Sequence, residues 1–275
     1  MGERSVRSAR RGSGAAATPV TAAFESSLVA FVRAVRGQPW SEVVETDDVI
    51  VGVTGVPLPA MNIVARAVLA PPTADARIGE VLARLAGCHV PFSWWVTPTS
   101  APGDLVGRLT RAGLADAAAL PAMALDLAAW TRRGTPPGVG VERVREGGAW
   151  TDTVRAMALG FDLPDAVVPT LAERFGALLS RRDLRWFAAR FDGEIVACAL
   201  SVVSGGVVGI YNVATIPEAR GRGAGSAVTA AALADGRRSG ATVAVLESSE
   251  MGHAVYRRLG FEDVGTVRIL VGGAG

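Results

Sequence analysis

The run from Val213 to Ser226, Val-Ala-Thr-Ile-Pro-Glu-Ala-Arg-Gly-Arg-Gly-Ala-Gly-Ser, constrains this chain more than any other stretch. Val207 to Val213 leads into it as an apolar segment with strand character, and Ala227 to Ala234 follows it as an alanine-rich helix former. The loop therefore delivers the backbone to a helix N-terminus. Amides there have no partner within the helix and the dipole is positive, so the loop is suited to an anion such as a pyrophosphate. Gly221, Gly223 and Gly225 let the backbone approach closely, and Arg220 and Arg222 add charge-assisted donors.

Spacing separates this loop from its rivals. A nucleotide-hydrolase P-loop needs Gly-x-x-x-x-Gly-Lys-Ser/Thr, and the chain contains no lysine. A dinucleotide fingerprint needs Gly-x-Gly-x-x-Gly/Ala directly after the strand. Counted from Gly221 the last position is Ser226, counted from Gly223 it is Val228, and Pro217 to Arg220 intervene before the first glycine. The remaining pattern, Arg-x-x-Gly-x-Gly at Arg220, Gly223 and Gly225, resembles the coenzyme A pyrophosphate loop of the GNAT acyltransferase superfamily. Downstream, Thr242 to Leu246 reads as a strand and Ser249 to Leu259 as a short helix ending at Gly260-Phe261. Tyr256-Arg257-Arg258-Leu259-Gly260-Phe261 is similar to the GNAT Tyr-x-x-x-Gly-Phe signature.

The rest of the second half fits around these motifs. Val139 to Val144 reads as a strand, Gly148 to Gly160 and Pro169 to Ser180 as helices, and Leu184 to Phe191 as a strand. Asp192-Gly193 is a hairpin turn into a strand over Glu194 to Val203, and Ser204-Gly205-Gly206 turns again into Val207 to Ile216. This order is the GNAT order, and the resemblance covers residues about 140 to 270.

The first half repeats part of it. Asn62 to Leu69 reads as a strand, Ala70 to Ala76 as a loop, Arg77 to Ala86 as a helix, Phe92 to Val96 as a strand and Asp104 to Gly113 as a helix. Leu109-Thr110-Arg111-Ala112-Gly113-Leu114 stands where Tyr256 to Phe261 stands in the second copy, with leucine in place of tyrosine. Ala70 to Ala76 has no Arg-x-x-Gly-x-Gly. The expectation is an α/β (α+β) protein of two GNAT-like domains, each a mixed, mostly antiparallel sheet flanked by helices. Residues 20–131 form a degenerate domain, 132–138 a linker and 139–275 the coenzyme-binding domain. Residues 1–19, rich in Arg, Gly, Ser and Ala, are expected to be disordered.

Composition narrows the function. No apolar run is an unbroken membrane span, since Ile195 to Tyr211 is interrupted by Ser204-Gly205-Gly206. No secretory signal is evident, which places the protein in the cytoplasm. Cys88 and Cys198 belong to no metal cluster, so neither a metal nor a disulfide is expected. A net charge of +2 argues against nucleic acid as a partner. Oligomeric state is left open, a monomer being compatible with the sequence.

What the GNAT resemblance implies is an N-acyltransferase, with acetyl-CoA the default donor and a small amine the acceptor. Val213, Ala214 and Thr215 would pair with the pantetheine arm, and Arg220, Gly221, Arg222, Gly223, Ala224, Gly225 and Ser226 would hold the pyrophosphate. Ser249 stands where relatives keep a coenzyme-contacting asparagine. Tyr256 would protonate the leaving thiolate, its phenol being a reasonable acid for that task. The family's strand glutamate has no match, since its place falls at about Gly209. The base is left among Glu247, His253 and a water chain. Phe161, Asp162 and Tyr211 mark the acceptor side, and the Trp94-Trp95 pair either closes that pocket or packs in the core. Two alternatives stand beside this reading: a coenzyme A-binding regulatory or scaffolding protein without turnover, and a transferase using a non-acetyl or aminoacyl donor.

Overall fold

The computed structural model describes residues 19–132, 134–145 and 147–273. The expected disordered tail, Pro19 apart, lies outside the described residues, as does Arg133 of the expected linker. The first element is a helix with no counterpart in the sequence reading, α1 (Pro19–Arg33). Proline suits its first turn, where an amide would have no helical partner. Phe24, Leu28, Val29 and Val32 recur at helical spacing and are buried. There follow β1 (Glu42–Glu45), β2 (Ile50–Val53), β3 (Ile63–Ala65), α2 (Ala74–Ala86), β4 (Phe92–Val96), α3 (Leu105–Arg111) and β5 (Ala115–Asp126). The second half comprises β6 (Val139–Val144), α4 (Gly148–Gly160), α5 (Val168–Gly176), β7 (Leu184–Phe191), β8 (Glu194–Ser204), β9 (Val207–Thr215), α6 (Ala224–Arg238), β10 (Val243–Glu247), α7 (Glu250–Leu259) and β11 (Glu262–Gly272).

From β6 onward these elements follow the expected order. Both expected hairpin turns have two left-handed residues, φ 50° and 88° at Asp192 and Gly193, and 57° and 80° at Gly205 and Gly206. Such turns match the twist of the strands they join. In the first half the expected strand from Asn62 to Leu69 is cut short, because Arg66 takes a left-handed φ of 51°. Helix α2 begins at Ala74 rather than Arg77. Strands β1, β2 and β5 were not foreseen.

All eleven strands form one sheet in the order β1-β2-β3-β4-β11-β5-β10-β9-β8-β7-β6. It is mostly antiparallel, with parallel pairing at β3–β4 and β9–β10. The halves exchange their last strands. β5 pairs with β10 from Val243↔Asp126 to Glu247↔Ala122, while β11 pairs with β4 from Arg268↔Val96 to Gly272↔Phe92. β5 and β11 also pair with each other along most of their length. No free sheet edge remains between the halves, and each half completes the other's sheet.

Alternation along the strands divides the sheet into two faces. On one face α1 lies across both halves, with Phe24 and Leu28 packed against Ile50, Trp95, Val207 and Val245. Helices α4 and α5 share that face, through Met157, Leu171 and Phe175. On the other face Trp94 packs with Ile78, Leu85, Leu105 and Leu109 of α2 and α3, while Leu246 packs with Leu233, Leu259 and Phe261. Among the described residues no helix is long and apolar enough to cross a membrane.

The internal repeat is visible in hydrogen bonds. The amide of Leu114 donates to the Leu109 carbonyl at 3.1 Å, and the amide of Phe261 to the Tyr256 carbonyl at 3.0 Å. Gly113 and Gly260 close their helices at φ 99° and 101°. Leu109 thus holds the place of Tyr256.

Because β5 and β11 find their partners across the halves, residues 19–131 and 139–273 produced separately are expected to lack a cooperative thermal transition. Co-expression should restore one complex with a single transition. Circular dichroism melting with size-exclusion chromatography checks this, and two halves that each melt cooperatively as monomers would contradict it.

Candidate functional site

The site begins where two strands part. β9 pairs with β10 only from Val207↔Val243 to Gly209↔Val245, although β9 continues to Thr215. On its other edge β9 stays with β8, through a register shift between Cys198 and Leu200. Asn212 stands at this bulge with φ 50°, its carbonyl meeting the Cys198 thiol at 3.5 Å. A bulge bends and twists its strand. β10 meanwhile keeps β5 as neighbour through Glu247. The edge of β9 beyond Gly209 therefore faces a cleft, of about 490 Å³, instead of a strand.

The matching place in the first half is closed. β3 and β4 pair only at Ile63↔Ser93 and Val64↔Trp94, and Arg66 provides a left-handed kink like that of Asn212. There, however, the amide of Ala101 donates to the Ala67 carbonyl at 2.8 Å, and the amide of Leu69 to the Ala101 carbonyl at 2.9 Å. The chain's own backbone fills that gap.

Beyond β9 the loop turns into α6 through Gly221 and Gly223, at φ 76° and 84°. Gly223 is the N-cap, and among the described residues no side chain caps the amides of the first turn, Ala224 to Ser226. A Cβ at Gly223 would come within 2.6 Å of Pro136, and one at Gly225 within 3.0 Å of the Thr215 hydroxyl. Arg220 donates to the carbonyls of Gly160 and Thr215 at 3.1 and 3.4 Å, and the Arg222 guanidinium stacks 3.3 Å over Phe191. The arginines brace the loop and lend it positive charge, and the free donors are main-chain amides. In the first half Pro71 and Pro72 remove two such donors.

Glu247, the last residue of β10, lines the cleft, where its Oε2 is enclosed without a hydrogen-bond partner among the described residues. Burial pushes its carboxyl up to about 8. Tyr256 of α7 lines the same cleft, its ring edge-on to Phe261 at 5.9 Å. Burial first, and the Glu247 charge second, raise its phenol above the ordinary value, so it stays protonated. Ser249 lines the cleft too, but its hydroxyl accepts the Gly252 amide at 3.2 Å as the cap of α7. Tyr211 is stacked on Phe31 at 4.5 Å, and its hydroxyl shares a hydrogen bond with Ser27 at 2.8 Å. Phe161 stands at the mouth, 47% exposed, and Val213 lines the wall.

Two of the expected site residues stand elsewhere. His253 pairs with Asp263 of β11 at 2.8 Å on the surface and does not line the cleft. Asp162 is exposed beside Phe161, also outside the lining. The tryptophan pair divides: Trp95 faces the cleft, its indole N–H donating to Ser93 at 2.9 Å, while Trp94 is fully buried on the opposite face. Gly209, the place of the family's strand acid, lies beneath α1. A Cβ there would collide with the Ser27 hydroxyl and come within 2.5 Å of the Tyr211 ring, so no carboxylate fits. Cys198 is a core thiol that burial pushes up to about 12.

Sequence reasoning passed over the wall contributed by the first half. Leu58, Pro59 and Met61 line the cleft, held by the fully buried Asn62. Its Oδ1 accepts from Thr54 and Gly55 at 2.9 and 3.2 Å, and its Nδ2 donates to Val56, Leu58 and Pro91 at 2.8, 3.2 and 2.8 Å. A lone asparagine at the head of an apolar strand was the available signal.

A strand opened by a bulge, a glycine-rich loop at a helix N-terminus and a tyrosine-bearing helix thus follow one another around the cleft. Residues 154–261 match the model of the Acetyltransferase (GNAT) family. Over most of its length the chain has a fold similar to that of solved GNAT proteins, one of them a tandem GNAT protein. A GCN5-related N-acetyltransferase from Kribbella flavida is 21% identical with a TM-score of 0.70, the alignment covering 93% of this chain and 96% of that one. A GCN5-related N-acetyltransferase from Sphaerobacter thermophilus is 16% identical with a TM-score of 0.58, over 93% and 94% of the two chains. A tandem GNAT protein from the clavulanic acid biosynthesis pathway is 16% identical with a TM-score of 0.59, over 86% and 84%. No curated protein matches the chain.

The raised carboxyl of Glu247 has a consequence for stability. An unfolded glutamate titrates near 4.3. Between that pH and about 8 the folded state holds a proton that the unfolded state has lost, so this residue makes stability fall as pH rises through that window. Glu247→Gln is expected to raise Tm relative to the parent at pH 9 and to change it little at pH 4. Thermal melts across pH check this, and an unchanged Tm difference over the range would contradict it.

Proposed function

We propose that the chain is an N-acyltransferase, moving an acetyl or other acyl group from a coenzyme A thioester to the amine of a small molecule by direct attack. One observation carries the reading: the Glu247 carboxyl, its Oε2 enclosed without a partner among the described residues, and the protonated Tyr256 phenol share a cleft whose free strand edge leads to the uncapped first turn of α6. The residues fit coenzyme A. The open edge of Val213 to Thr215 can take an extended amide-bearing arm as an added strand, and the amides from Gly221 to Ser226 can take its pyrophosphate. Coenzyme A, when bound, supplies the acyl group as a thioester.

Glu247 takes the proton that the amine loses as its nitrogen bonds to the acyl carbon. Tyr256 gives its phenolic proton to the sulfur as the carbon–sulfur bond breaks, and a proton passing from Glu247 back to Tyr256 restores both. The walls exclude water and hold the reactants together, which can contribute several kcal/mol. Glu247 thus supplies from β10 the acid that β9 lacks. The partner is a small amine in a cytoplasmic setting, with nucleic acid, membrane and metal not involved.

Thiol release from acetyl-CoA across an amine panel is expected to rise with at least one amine and to fall in Tyr256→Phe. Glu247→Gln should lower kcat/KM by about 10²-fold or more and remove the limb that rises toward about 8, leaving only the amine's own titration. Coenzyme A at about 100 times its Kd should add roughly 2.7 kcal/mol to stability, an effect Gly223→Val should abolish. Binding without turnover for any thioester and amine would favour a coenzyme A-binding regulatory protein instead.

A further inference from the structure

The acceptor end of the cleft has a chemistry of its own. The donor's path follows β9 from the 221–226 loop, so walls brought by the first half and the exchanged strands are left to the acceptor. These walls are apolar: Phe31 of α1, Met61, Trp95 of β4, Leu120 of β5 and Ile269 of β11, with Phe161 at the mouth. Among the described residues no arginine or histidine lines the cleft and Glu247 is the one lining carboxyl, and the chain has no lysine.

Most polar groups there are already engaged. Ser93 receives the Trp95 indole and donates to the Pro59 carbonyl at 3.0 Å, Ser249 caps α7, and Tyr211 is paired with Ser27. Two atoms of lining residues, Glu247 Oε2 and Asn212 Nδ2, are enclosed without partners among the described residues. An anionic acceptor would lose its hydration beside a carboxyl with no cation to meet it, and a polyhydroxylated one would leave hydroxyls unpaired. An amine on an apolar body meets neither penalty, since Glu247 receives its nitrogen and the walls its carbon surface.

We infer that the acceptor is an apolar primary amine of the arylalkylamine kind, bearing no carboxylate, phosphate or sugar-like array of hydroxyls. This rests on the acyl-transfer reading above. The test uses the full chain with acetyl-CoA and three acceptors of similar reach: 2-phenylethylamine, phenylalanine and glucosamine. The expected kcat/KM for 2-phenylethylamine exceeds each of the others on the order of 100-fold. Calorimetric titration of 2-phenylethylamine in the presence of coenzyme A gives a readout independent of turnover and should show saturable binding that glucosamine lacks.

Phe161→Arg, at an exposed position where folding is not at stake, should raise KM for 2-phenylethylamine about tenfold and narrow its lead over phenylalanine. Binding of the aryl amine without turnover would keep the acceptor class and sink acyl transfer. Turnover of phenylalanine or glucosamine at equal or better kcat/KM would sink the acceptor class and keep acyl transfer. The inference also falls if 2-phenylethylamine neither binds nor reacts. It falls as well if octanoyl-CoA outperforms acetyl-CoA while the aryl amine has no advantage, because the apolar walls would then belong to the acyl chain.

Discussion

The parting of β9 from β10 after Gly209 is the constraint from which the rest follows. Parallel strands left unpaired would each expose backbone donors and acceptors, a cost that native sheets avoid. Here the two strands meet it differently. β10 turns its other edge to β5, a strand from the opposite half, and keeps that pairing through Glu247. β9 bulges at Asn212 and leaves its edge open to the cleft. The first half faces the same geometry between β3 and β4 and resolves it with Ala101, whose backbone supplies the missing bonds. One gap is filled internally and the other stays open to the cleft.

Helix α1 ties the first half to this site. It lies across both halves on one face, and its Ser27 and Phe31 side chains position Tyr211 over Gly209. Space that could have held a strand carboxylate is thereby given to packing, and the cleft's carboxyl stands on the neighbouring strand at Glu247. With its Oε2 enclosed and unpartnered among the described residues, the pKa of Glu247 is raised by desolvation, which outweighs a hydrogen bond from its own backbone, and this favours proton exchange over ion pairing. The first half has no Arg-x-x-Gly-x-Gly loop of its own, yet it supplies much of the wall around Glu247 and Tyr256.

Legibility tracked how local each signal was. From β6 to α7 the order could be read because strand alternation, Asp192-Gly193, Gly205-Gly206 and Gly260 are short-range cues whose φ values the structure repeats. α1 carried a readable helical stripe, and it went unread because it lies ahead of the repeat that organised the rest. β5 was opaque for a physical reason. Ala-Asp-Ala-Ala-Ala-Leu-Pro-Ala-Met-Ala-Leu-Asp favours helix by composition and contains a proline that central strands seldom carry. It is extended because β10 and β11 pair with both of its edges, and Pro121 is tolerated where its carbonyl accepts the Ser248 amide at 3.0 Å. The placement of His253 was equally beyond local reading: its helix was anticipated, but Asp263 on β11 takes its ring.

By itself, the sequence determined the strand–loop–helix around Gly221 to Gly225, the tyrosine-bearing helix end at Tyr256 to Phe261, and the weaker echo of both in the first half. All three are set by contacts within a few residues: glycine φ values, helix termini and strand alternation. The tertiary structure alone decided which carboxyl stands in the cleft, that Gly209 has no room for another, and that β5 and β11 change places. These depend on edges, faces and buried volumes shared by segments more than a hundred residues apart. Spacing along a chain does not encode which of two parted strands will find a partner, because that choice is made by the packing of the whole sheet.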